Sequence, residues 1–107
     1  MICRIWHGWA TLENADAYEQ VVRTTVIPGI EARGIDGFLS IDLIRRSLEN
    51  EVEFATIMWF GSLKAIIAFV GEDATVSHVP AQARAVLSRF DAHAQHYEVL
   101  DRRLQTH

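Results

Sequence analysis

The chain has 107 residues, half of them hydrophobic and 22% charged, and its 10 Lys and Arg against 14 Asp and Glu give a formal net charge of −4. That length suits one hydrophobic core and a single domain over 1–107, and that balance excludes a disordered chain. The basic residues are scattered, which argues against nucleic acid or an anionic membrane as partner, and no apolar run reaches the ~18 residues that a membrane span needs.

Residues 2–11, ICRIWHGWAT, are rich in β-branched and aromatic types and read as a strand. Cys3 within it is the only cysteine, so no internal disulfide and no cysteine-based zinc site is expected, and a reducing, cytoplasmic setting fits. Asn14 and Asp16 offer capping oxygens before Ala17, Tyr18, Val21, Val22 and Thr25 mark one helical face. Pro28-Gly29 is expected to end or kink that helix, with a short turn over 30–33, and Gly34 and Gly37 frame the loop after it. Leu39, Ile41 and Leu43 alternate with Ser40 and Asp42 in a second strand, and SLENE at 47–51 makes a hairpin turn into EVEFATIMWF at 51–60. Ser62 suits the cap of a helix whose stripe Leu63, Ile66, Ile67 and Val70 reads as core, and Gly71 stops it. Pro80 suits a first helical position, with Val79, Ala83, Val86, Leu87 and Phe90 as the stripe of another helix. Tyr97, Val99 and Leu100 suggest a last strand. The order predicts an α+β, ferredoxin-like βαββααβ chain with a four-stranded antiparallel sheet and its helices on one face.

EVEFATIMWF is apolar on both faces, with Val52, Phe54, Met58 and Phe60 on one and Ala55, Ile57 and Trp59 on the other. Helices on one side of the sheet cover only one of them. Each buried aromatic removes about 150 to 250 Å² from water, on the order of 4 to 6 kcal/mol before entropy is subtracted. The economical cover for the second face is another copy of the sheet, giving a homodimer closed as a dimeric α+β barrel.

The segments VEFATIMWFGSLKAIIAFVGED, TTVIPGIEARGIDGF and VLSRFDAHAQHYEVL resemble the antibiotic biosynthesis monooxygenase family, or ABM domains, over nearly the whole chain. The resemblance implies oxidation of a small aromatic or quinol-type molecule, without a cofactor, in a cavity between sheet and helices. It also implies that the odd-numbered face of the first strand, Cys3, Ile5, His7 and Trp9, lines that cavity. The haem-degrading members carry an Asn on the first strand, a Trp on the helix after the third strand and an axial His. Those positions fall here on His7, Ala68 and His78, so only the last matches, and haem binding through His78 is the remaining form of that alternative.

His7 has two readings: a buried strand histidine bonded to backbone, or a catalytic proton acceptor aimed into the cavity, since an imidazole takes a proton near neutral pH. Trp9 and His78 are the expected ligand-binding companions. His93 and His96 are spaced for one helix face, but their segment runs into the last strand and no carboxylate or cysteine pattern completes a metal site. The sequence thus implies no metal, no cofactor and a small apolar or aromatic ligand. The scarcity of convergent polar groups leaves a non-catalytic, ligand-holding or stress-response dimer as the competing reading.

Overall fold

The computed structural model describes residues 1–106. In chain order the elements are β1 (Ile2–Thr11), α1 (Ala15–Val21), a π-helical turn (Val22–Val26), α2 (Ile27–Ala32), β2 (Phe38–Ser47), β3 (Glu51–Phe60), α3 (Leu63–Val70), α4 (Ala81–Arg84), β4 (Arg89–Phe90) and β5 (Gln95–Glu98). The sheet is antiparallel in the order β2-β3-β1, and its fourth position is shared by β4 and β5, which both pair with β1. The expected α+β, ferredoxin-like arrangement is present, with five strands in four positions rather than four strands.

The fourth position is split because residues 92–94 leave β1 and pair elsewhere. Asp91 N–H still donates to the His7 carbonyl at 3.0 Å, but Ala94 N–H donates to Thr75 O at 2.8 Å and Val76 forms a bridge with His93. The loop after α3 is thereby stitched to the sheet edge.

Register fixes the faces. Gly8 lies opposite Phe54, Trp6 opposite Thr56, Arg4 opposite Met58 and Ile2 opposite Phe60, so the even-numbered residues of β1 and β3 share the face that meets the helices. Two buried clusters lie under that face. One gathers Trp6, Tyr18, Val22, Val52, Phe54 and Ala83, the other Ile30, Met58, Phe60, Ile66 and Phe69, and Val26 packs against both.

The helical expectations need three amendments. The chain does not stop at Pro28: the π turn at 22–26 runs directly into α2, with Pro28 in its first turn, where a missing N–H costs little. α3 begins as expected, with the Ser62 hydroxyl accepting from Ala65 N–H at 3.3 Å, but Leu63 and Ile67 are exposed and its buried residues are Ala65, Ile66 and Phe69. The helix predicted after Pro80 is four residues long, and Phe90 belongs to β4 opposite Gly8. Among the described residues no helix is long and apolar enough to cross a membrane.

Candidate functional site

A cavity opens at the seam between the two buried clusters, floored by the sheet at Arg4, Trp6, Ile41, Thr56 and Met58 and roofed by Tyr18, Val22, Val26, Ile27 and Ile30. Phe69 and the segment His78-Val79-Pro80 close its side. The roof includes the π turn, a locally widened helix of a kind often found at functional sites. The room inside is about 40 Å³, on a measure where one water needs roughly 10–15 Å³ and a benzene-sized guest roughly 150 Å³. An aromatic ring therefore enters only if the roof shifts.

Strand alternation puts Arg4 and Trp6 into this floor. Arg4 is 3% exposed, the one buried charged side chain among the described residues. Its Nη1 donates to Ala74 O at 2.6 Å and lies 2.9 Å from His96 Nε2, while Nη2 donates to Val76 O at 2.6 Å. The guanidinium also stands 5.7 Å from the centre of the Phe69 ring. Burial lowers its pKa to about 10, which keeps it charged at neutral pH. Trp6 donates its indole N–H to Asp91 O at 2.8 Å, which fixes the ring over Gly8.

Tyr18 comes from α1, packs edge-on against Phe54 at 4.7 Å between ring centres, and is 2% exposed. Burial alone pushes its hydroxyl well above the usual phenol range, so it stays a neutral donor. His78 stands at the mouth, open to solvent on one side and 5.0 Å from the Phe69 ring centre on the other. Desolvation first, then the charges of Arg33 and Arg4, lower its pKa, so the imidazole is neutral at pH 7.

Of the three residues expected at the site, the structure brings His78 to the cavity and places His7 and Trp9 on the other face of the sheet. The expectation that the odd-numbered face of β1 lines the cavity is corrected by register: Arg4 and Trp6 face the helices, so their neighbours cannot. His7 instead stands 3.7 Å from Glu53 and 3.6 Å from Asp91 on the open face. Trp9 stacks beside it at 6.2 Å, under the Arg89 guanidinium at 4.0 Å. Sequence reasoning missed Arg4, Trp6 and Tyr18. The available signal was an arginine in the middle of an aromatic strand, on the same face as a tryptophan and a glycine two residues apart.

His93 and His96 are engaged separately, the first 3.1 Å from the Thr75 hydroxyl and the second beside Arg4. A porphyrin does not fit inside this cavity, which has room for a few waters.

No protein-family model matches the sequence, and no curated protein does. Among solved structures, a crystal structure from Bacillus cereus described as a "putative antibiotic biosynthesis monooxygenase" superposes with a TM-score of 0.65 at 8% identity, over 100% of this chain and 98% of that one. At that identity the likeness is one of fold: the chain has the ABM-like, ferredoxin-type α+β fold.

Proposed function

We propose that this protein is a small-molecule-binding protein of the antibiotic biosynthesis monooxygenase type, which holds a small aromatic or quinol-type molecule between sheet and helices and oxidises it without a cofactor. The observation that carries the reading is the cavity itself, apolar over most of its wall and met by Arg4, Tyr18, Thr56 and His78. Of these four, only His78 is neutral and basic at pH 7, since Arg4 and Tyr18 keep their protons and Thr56 is an alcohol. His78 is therefore the proton acceptor in this reading, in place of His7. Removing the proton from a phenol or hydroquinone at the mouth would raise its electron density for reaction with oxygen. The open face of the sheet supports a homodimer as the working form.

Oxygen uptake with a panel of phenols and quinols tests the reading. Turnover should rise through a pKa below about 6.5 and level off by neutral pH, as a base with a lowered pKa requires. His78→Ala should cost roughly 10²-fold or more in turnover with its circular dichroism unchanged. The competing reading is a non-catalytic binder, favoured by the presence of a single basic group at the mouth. Ligand binding without any oxygen uptake would establish it.

A further inference from the structure

Arg4 is the one charged group enclosed with this cavity, and the fold gives it no counter-ion. Among the described residues no Asp or Glu forms an ion pair with it. Its partners are two backbone carbonyls and a neutral imidazole. A charge taken out of water costs free energy unless it is paired, and carbonyl oxygens compensate only part of that cost. The same two carbonyls could be met by a neutral amide or by water, so tying down the 74–76 loop does not account for the positive charge.

The donor count leads to the same place. A guanidinium has five N–H donors, and three contacts are made here. The two that remain are the number that a carboxylate takes in a bidentate pair. Phe69 stands 5.7 Å from the guanidinium carbon, and the rest of the lining, with Trp6, Ile30, Met58 and Val79, suits an apolar ring.

We infer that Arg4 is the anion-recognition element of this cavity, and that its ligand is a small aromatic molecule carrying an anionic oxygen on the ring, as carboxylate or phenolate. The inference rests on the proposed reading that the cavity holds an aromatic molecule, and it adds the ligand's charge. Arg4 supplies the positive potential, and the apolar wall takes the ring once the roof shifts to admit it.

The probes are benzoate, its neutral counterpart benzamide, and a phenol whose ionisation changes its absorbance, each titrated into the whole protein at pH 7. Binding is followed by the Trp6 indole and Arg4 side-chain N–H signals in nitrogen-15 NMR. Benzoate should bind at least about tenfold more tightly than benzamide and shift both signals. A bound phenol should ionise at lower pH than in free solution, which separates the phenolate form from the carboxylate form. Arg4→Gln should lose the preference for benzoate while still taking benzamide. If that variant does not fold, the comparison of benzoate with benzamide on the unaltered chain decides alone. Equal affinities, or a preference for the amide, would overturn the anion inference and leave the aromatic cavity standing. No response to any probe would overturn both.

Discussion

A β-carbon on Gly8 would lie 2.6 Å from Cη2 of the Trp6 ring, with a methyl of Leu87 at 3.3 Å on its other side. The nearer neighbour is not free to move, because the indole is 7% exposed and tied through its N–H to Asp91. Gly8→Ala should therefore lower stability by roughly 1–3 kcal/mol, the usual cost of overpacking, read from the urea midpoint. Tryptophan emission should move to longer wavelength as the ring is pushed toward water. An unchanged midpoint and spectrum would show that the cavity floor is softer than its packing indicates. The same pair of residues explains why the face of β1 was not legible in the sequence. Ile2, Trp6 and Ala10 on one side and Cys3, Ile5 and Trp9 on the other are equally apolar, so alternation alone could not choose between them. What chooses is the space above Gly8 and the carbonyls of Ala74 and Val76, 70 and 72 residues away from Arg4. No local pattern encodes those contacts. His78 was legible only through the family resemblance.

Among the elements, those with a local chemical signal were the ones the sequence showed: β1 by its composition, the β2-β3 hairpin by its SLENE turn, and the start of α3 by Ser62. Those decided by long-range pairing were not. Phe90 carries a helical spacing from Ala83 and Val86, yet β1 offers it a strand edge at Gly8 and the pairing wins. β5 is held by four residue pairs to β1 and, on the inner face, by the contact between Arg4 and His96. That contact requires His96 Nε2 to accept, so protonating the ring removes it. Burial first and then Arg4 lower the His96 pKa, and His78 is lowered in the same way with Arg33 in addition. Both histidines thus bind their protons more weakly folded than unfolded. Well above pH 6.5 they are neutral in both states and stability does not depend on them; as the pH falls through about 6.5, the unfolded chain takes up more protons and stability drops until the folded pKa values are passed. Glu19 and Glu51, whose carboxyl pKa values are lowered chiefly by hydrogen bonds from Arg45 and Arg89, add a second loss that begins below about pH 4.5. The melting temperature should fall from pH 6.5 to pH 5.5, with amide exchange in β5 accelerating first. His96→Gln keeps an acceptor for Arg4 and should flatten that part of the profile. A profile unchanged by the substitution would remove His96 as its cause.

The whole molecule is a slab of 38 × 37 × 22 Å, and its short dimension is that of one sheet with one layer of helices. Among the described residues nothing forms a second layer on the other side. There Ile5, Trp9, Ala55, Ile57 and Trp59 share the outer face of β1 and β3, with Ile44 of β2 alongside at 49% exposed. The chain after β5 reaches only one corner, where Arg102 lies 5.9 Å from the Trp59 ring, and its Leu100 and Leu104 remain exposed. Three ten-residue strands, with the short β4 and β5 sharing the fourth position, span at most roughly 33 × 19 Å, a projected face of up to about 600 Å² before the relief of its side chains is counted. A stable dimer buries about 800 Å² on each partner, so the face is of the right size for a second copy. No field of one sign opposes that partner here, since Arg46 with Glu53 and Arg89 with Glu51 form mixed pairs within the chain. Light scattering at tens of micromolar should give the mass of a dimer. Ile57 lies between Ile5 and Asp42 in the middle strands of this face, so Ile57→Glu would put an unpaired charge into the centre of the contact and should leave a folded monomer. A wild-type chain that stays monomeric at that concentration would sink the dimer and require another cover for this face. If the variant were as dimeric as the wild type, the dimer would stand but its interface would lie elsewhere.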